Sequence, residues 1–245
     1  MVRVLTTSDL LDVWERGLSD QPVQRALDLL AIAYPESSLE QLQELPIGQR
    51  DARLLAIREA LFGPRLTCLA TCPRCNERLE IAFDITQLRS SPSDSTATEK
   101  RSITAGGCEV QFRLPNSSDM LLISDTSDAT QARRTLFERC VQQATRNGAP
   151  IAATDVPEEI VNAVAIRMAL IDPQADVQIA LECPACAHQW SAAFDIVSYL
   201  WSEVNAWAVR ILHEVHQLAF AYGWREADIL ALSPMRRQFY LELIG

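Results

Sequence analysis

The chain has 245 residues, 48% of them hydrophobic, and its 32 acidic against 22 basic side chains give a formal net charge of -10. That length allows one large or two small domains with a real core, and the composition excludes collagen-like, low-complexity and disulfide-scaffold classes. No run of about 18 apolar residues spans a bilayer, and the acidic surplus works against binding a phosphate backbone, which needs concentrated positive charge.

The start reaches Asp9 before any apolar core of a secretion signal, so a cytoplasmic chain with reduced thiols is expected. Seven cysteines then point to metal rather than disulfides. Lys100 is the only lysine. Arginine forks suit protein interfaces and internal ion pairs, although base composition accounts for the bias without any function.

Ser8 or Asp9 can cap a first helix carrying Leu10, Leu11, Val13 and Trp14; Pro22 starts a second that Pro35 closes. Ser38 with Gln41 three residues on is a capping-box signal. After a break at Pro46-Ile47-Gly48 a helix is predicted over residues 49–62, ended by Gly63-Pro64. The period then changes: residues 66–70 and 79–83 are short strand-like runs flanking Cys72-Pro73-Arg74-Cys75. Residues 89–98 read as a Ser-rich linker.

Strand candidates follow at 102–104 and 109–114, then a helix is predicted over 129–146 with Leu136, Phe137, Cys140, Val141 and Ala144 as its apolar stripe. Its Arg133, Arg134, Arg139 and Arg146 lie off that stripe, on a solvated face or against an anionic partner. Asn147-Gly148 breaks it. Next come a helix over 157–171, a strand over 177–181 before Cys183-Pro184-Ala185-Cys186, and a long helix over Ile196–Tyr222 burying Trp207, Ile211, Val215, Ala219 and Tyr222. Gly223 ends that helix, and Ser233-Pro234 starts the last one.

The two cysteine segments, 72–85 and 183–196, align without a gap. Both cysteines, the following proline, the alanine before the phenylalanine and the closing Phe-Asp-Ile coincide. A Cys-x-x-Cys turn lets two thiolates converge on one metal, and two such turns complete a closed, structural tetrahedral shell. The expected ligands are Cys72, Cys75, Cys183 and Cys186, around one Zn²⁺ per chain. Residues 76–182 far exceed the usual gap, so the ribbon must be split by an inserted subdomain. Metal binding would then close a long loop and couple the N-terminal and C-terminal halves. The alternatives are a redox pair, which needs a thioredoxin-like context, or a knuckle without metal. His188 is a possible substitute ligand; Cys68, Cys108 and Cys140 read as small buried hydrophobes.

Nothing recommends an active site. His213-Glu214-Val215-His216 misses the His-Glu-x-x-His spacing by one residue, and there is no Gly-rich phosphate loop or Gly-x-Ser-x-Gly. Asp84 and Asp195 repeat as helix caps rather than as a catalytic pair.

Several stretches carry a family likeness: Gly48-Gln-Arg-Asp-Ala-Arg-Leu-Leu-Ala-Ile-Arg-Glu-Ala-Leu-Phe-Gly63, Phe112-Arg-Leu-Pro-Asn-Ser-Ser-Asp-Met120, the two Cys-Pro-x-Cys knuckles, His216-Gln-Leu-Ala-Phe-Ala-Tyr-Gly-Trp224, and Ile229 to Leu241. With these, in this order over nearly the whole length, the chain resembles the baseplate proteins and baseplate-hub assembly chaperones of T-even-type contractile-tailed phages and phage-like extracellular contractile injection systems. The resemblance implies a cytoplasmic protein of the bacterial host, binding other baseplate components, with its four knuckle cysteines on a structural metal.

The expected fold is α+β, mainly α-helical: a helical region (1–64), the first ribbon half (65–88), a linker with an inserted α+β subdomain (89–174), the second ribbon half (175–196) and a C-terminal helical region (197–245). The expected function is a non-enzymatic assembly chaperone or structural baseplate component. The alternatives are a zinc-ribbon nucleic-acid-binding protein, disfavoured by the mixed charges Arg74, Glu77, Arg78, Glu80 and Glu182 near the knuckles, and a hydrolase with an open zinc site. Aromatics and arginines dominate interface hot spots, which selects Trp224, Arg236, Arg237 and Tyr240 as interface candidates.

Overall fold

A computed structural model describes residues 2–89 and 101–244. Apart from Arg89, the stretch read as a linker lies outside the described residues. In chain order the elements are α1 (Thr7–Gly17), α2 (Pro22–Ala33), α3 (Leu39–Gln43), α4 (Ile47–Phe62), β1 (Arg65–Thr71), β2 (Arg78–Asp84), β3 (Ser102–Ala105), β4 (Cys108–Phe112), α5 (Ser117–Ile123), α6 (Ala129–Cys140), β5 (Val141–Arg146), β6 (Ala149–Pro150), α7 (Glu158–Ile171), β7 (Val177–Glu182), β8 (Gln189–Phe194), α8 (Ile196–Tyr222), α9 (Glu226–Leu230) and α10 (Pro234–Glu242). The fold is α+β and mainly helical.

Local chemistry sets most helix starts. Ser38 and Gln41 form the expected capping box, each side chain bonding the other's backbone N–H. At α1 the cap is Thr6 rather than Ser8 or Asp9: its hydroxyl accepts from the Asp9 N–H while the Asp9 carboxylate accepts from the Thr6 N–H. Ser233 caps α10. Gly48 does not break the chain but sits in the first turn of α4, where its N–H donates to Asp172 Oδ2 at 2.9 Å. A Cβ there would lie 1.8 Å from Asp172 Oδ1, so only glycine admits this close approach.

Two compact units divide the chain. One comprises Met1–Glu36 and Ile196–Gly245, so its helices come from both ends of the sequence. Along α8, Leu200, Val204, Ala208, Ile211, Val215 and Leu218 recur at helical spacing and are buried. Leu11 and Ile229 join the last four of these in one core, with Trp14, Trp207, Trp224 and Tyr240 packed against it. Burying each such side chain contributes roughly 1.5–3 kcal/mol. Trp14 Nε1 donates to Asn205 Oδ1 at 2.9 Å, so its polar end is satisfied as well.

The other unit, Ser37–Asp195, holds every strand among the described residues. An antiparallel sheet in the order β3-β4-β5-β6 packs on α6 and α7 through Cys108, Val110, Phe112, Phe137, Ala144, Ile160, Val161 and Val164. The strict inward alternation of β4, buried at Cys108, Val110 and Phe112, sets that register.

Here the structure corrects one expectation. The helix predicted over 129–146 ends at Cys140, and residues 141–146 turn into β5, paired with β4 from Phe112↔Val141 to Cys108↔Arg146. β-Branched Val141 and Thr145 suit a pleated surface, and β4 offers a ladder, so tertiary pairing overrides the helical continuation. The arginines of α6 are held inside this unit. Arg134 reaches Glu138 and the carbonyls of Ala153, Thr154 and Val156, Arg133 bonds Asn162, and Arg139 reaches Asp119.

Candidate metal centre

Two hairpins carry the cysteines. β1 pairs with β2 in register Arg65↔Asp84 to Thr71↔Arg78, and β7 pairs with β8 from Val177↔Phe194 to Glu182↔Gln189. In each hairpin alternate residues are half-buried, or fully buried at Leu66, while the residues between them face solvent. Phe83 and Phe194, the equivalent positions of the repeat, meet edge to face with centroids 6.1 Å apart. The repeat in sequence is thus a repeat in space.

Both turns fold identically. The Cys72 N–H donates to the Glu77 carbonyl and the Asn76 N–H to the Cys72 carbonyl; in the second turn Cys183 N–H reaches His188 and Ala187 N–H returns to Cys183. Closing so tight a turn puts the residue after the second cysteine in the left-handed region, Asn76 at φ 59 and Ala187 at φ 53. Asparagine tolerates that conformation; alanine holds it under strain.

The four sulfurs converge. Cys72 Sγ lies 3.7 Å from Cys186 Sγ and Cys75 Sγ lies 3.5 Å from Cys183 Sγ, with all four within 4.8 Å of one another. A tetrahedron of sulfurs at ~2.3 Å from a central zinc has edges of about 3.8 Å, whereas a disulfide needs about 2.05 Å. The observed spacings fit the first arrangement. Cys72 and Cys183 are buried, Cys186 is half-buried and Cys75 is exposed.

Backbone dipoles point at the sulfurs. Burial raises the Cys72 thiol, yet the backbone N–H groups of Cys75 and Arg74 and the neighbouring thiols bring it down to about 7. The Glu77 N–H lowers Cys75, but the surrounding thiols and burial push it up to about 12. Four thiolates repel one another unless a cation sits between them, which is the chemistry a divalent soft metal supplies.

The remaining candidates lie elsewhere. The His188 ring stacks on Trp190 at 6.0 Å, and it is outside the sulfur cluster. Cys108 and Cys140 are buried, as read from the sequence, and burial with the nearby Asp119 pushes Cys140 up to about 12. Cys68 is half-buried on β1. Glu214 of the near-miss histidine motif bonds Arg237, and His216 stacks on Phe220.

Among the interface candidates, Arg237 is 2% exposed, its Nε on Glu214 and its Nη1 on the Leu232 carbonyl; its fork is committed within the fold. Trp224 and Tyr240 pack edge to face, 4.9 Å apart, against the α8 core. Only Arg236 stands exposed. Sequence reasoning missed Phe220 on α8 and Met235 and Phe239 on α10, which are exposed; for the latter two a helical-wheel reading of α10 was the available signal.

The fold and its centre define a mixed helical protein whose two cysteine hairpins, far apart in sequence, meet at one four-sulfur cluster. The family model described as T4 bacteriophage base plate protein matches residues 9–201, and the chain belongs to that family. The match takes in both knuckles together with the 48–63 and 112–120 stretches; residues 202–245 lie outside it. None of the curated proteins and none of the solved structures matches the chain. Among the described residues no helix is long and apolar enough to cross a membrane.

Proposed function

We propose that the protein is a non-enzymatic component or assembly chaperone of a contractile-tail baseplate, acting by binding other baseplate proteins from a scaffold that one Zn²⁺ holds together. The observation that carries the metal is the convergence of Cys72, Cys75, Cys183 and Cys186 at tetrahedral spacing. Four sulfurs saturate zinc, so no coordination position remains for substrate or water, and the role is structural. Family membership supports the partners: baseplate proteins work as parts of a multi-protein particle. The protein would act in the bacterial host cytoplasm, where the particle is built.

When bound, the ion would offset two of the four thiolate charges and hold the sulfurs together against their mutual repulsion. The chain's own residues do the rest: the knuckle N–H groups orient the sulfurs, and the two hairpins carry them to one point. The stabilisation then comes from closing the 76–182 stretch, so loss of one ligand should loosen the Ser37–Asp195 unit.

The test is metal analysis of the full chain with thermal unfolding. Close to one zinc per chain is expected, lost in Cys72→Ser and in Cys183→Ser with a fall in Tm in both. Wild-type-like melting with either substitution overturns the shared site. For the assembly role, a pull-down from cells making the whole tail should retrieve a baseplate protein; retrieval of none counts against it.

A further inference from the structure

The four knuckle sulfurs differ in access. All seven cysteines lie among the described residues, and Cys75 alone of them is exposed; Cys186 is half-buried, while Cys72 and Cys183 are buried. Oxidation at cysteine follows exposure and thiolate character, so a dissolved oxidant meets Cys75 first. The sulfur that faces it across the cluster is on the other hairpin, Cys183 Sγ at 3.5 Å, and Cys186 likewise faces Cys72 Sγ at 3.7 Å. Each contact thus joins the accessible sulfur of one knuckle to the buried sulfur of the other. A disulfide needs about 2.05 Å, so each pair has roughly 1.5 Å to close. Closing across the cluster only draws together two hairpins that meet through side chains such as Phe83 and Phe194. Closing within a knuckle instead works against a turn pinned by its own backbone, Asn76 N–H on the Cys72 carbonyl and Ala187 N–H on that of Cys183. Cys108 and Cys140, buried on β4 and α6, lie outside the cluster.

We propose that peroxide converts this cluster into two disulfides between the hairpins, Cys75 to Cys183 first and Cys72 to Cys186 second, so that a covalent clasp takes over from the metal. The Cys75 thiolate attacks one peroxide oxygen; the S–O bond forms as the O–O bond breaks, leaving a sulfenic acid and releasing hydroxide. The Cys183 thiolate then attacks the Cys75 sulfur, the S–S bond forms as the S–O bond breaks, and a second hydroxide leaves. Two electrons pass from two sulfurs to one peroxide. A second peroxide does the same at Cys186 and Cys72, and no thiolate is left to hold an ion. The new bonds join residues 108 and 114 positions apart, and covalent closure of so long a loop restrains the unfolded chain strongly. The inference rests on the four-sulfur site of the proposed function, but not on which metal fills it.

Hydrogen peroxide added stepwise to the full chain, with and without prior chelation, tests it. Peptide mapping under non-reducing conditions should recover Cys75 linked to Cys183 after the first equivalent and Cys72 linked to Cys186 after the second. The oxidised chain should melt above the chelated, reduced one, and a thiol reductant should erase the gain. Cys183→Ser should lose the first link and leave Cys75 open to a sulfenic-acid probe; if that variant misfolds, the wild-type map decides alone. Links within a knuckle, links between chains, thiols that go unpaired to higher oxidation states, or an oxidised chain that melts no higher each overturn the proposal. Cross-links in a chain that holds no zinc as purified uphold it and overturn the metal reading instead.

Discussion

Both terminal nitrogens of Arg113 hold the carboxylate of Asp119, Nη1 to Oδ2 at 2.5 Å and Nη2 to Oδ1 at 2.7 Å. The Asp119 side chain is fully buried, and it also accepts the Asn116 N–H at 3.1 Å and Arg139 Nε at 3.4 Å. Burial raises its pKa, but the Arg113 fork, the Asn116 N–H and Arg139 outweigh that and hold the carboxyl below its ordinary range. The folded value is depressed, so the stabilisation is present above the unfolded value of about 3.9 and is lost as pH falls through the folded one. Asp119→Asn should cost about 3 kcal/mol at pH 7, since Arg113 keeps its charge without its partner. Urea unfolding at pH 7 and pH 3 checks this. A difference undiminished at pH 3 would refute the linkage.

Ala187 marks strain in the second knuckle. Its left-handed backbone costs an L-residue with a Cβ about 1–2 kcal/mol, partly offset because glycine frees the unfolded chain. Ala187→Gly should therefore stabilise the protein by ~0.5–1 kcal/mol, without changing the metal content. Asn76→Ala, introducing the same strain into the first knuckle, should lower stability by about 1 kcal/mol. Paired thermal melts decide it, and a destabilised Ala187→Gly protein would contradict the account.

Arg236 and Arg237 are neighbours with opposite fates. Arg237 lies in the fold on Glu214 and Leu232, whereas Arg236 faces solvent. Removing one partner of a buried pair costs about 3–5 kcal/mol, so Arg237→Ala should unfold the α8–α10 end at much lower denaturant. Arg236→Ala should stay within about 0.5 kcal/mol of wild type. Equal denaturation midpoints for the two variants would show that Glu214 is not stabilised by Arg237.

The hairpins were legible because the cysteine segments repeat without a gap and their flanks alternate with period two, a signal few other structures produce. Ser38, Pro22 and Ser233 announced helix starts through side-chain chemistry that acts within three residues. Longer-range physics was not legible. Phe137, Cys140 and Ala144 fit a helical stripe, and only the β4 ladder reveals that Ala144 is buried from a strand. At the C-terminal end, residue type suggested that aromatics meet partners, but packing decides which do. Trp224 and Tyr240 went to the core, and Phe239, one residue earlier on α10, faces outward.

The cross-pairing of the sulfurs, Cys72 with Cys186 and Cys75 with Cys183, has a consequence in time. A ribosome adds about 5–20 residues per second, so on the order of 5–20 s pass between the first knuckle and the second. Throughout that interval the nascent chain carries half a centre, two thiols able to react with oxidants or with another chain's cysteines. The stretch 76–182 must therefore fold around an unfinished clasp, and a cell making this protein faster, or in a more reducing medium, gains yield by shortening or protecting that wait.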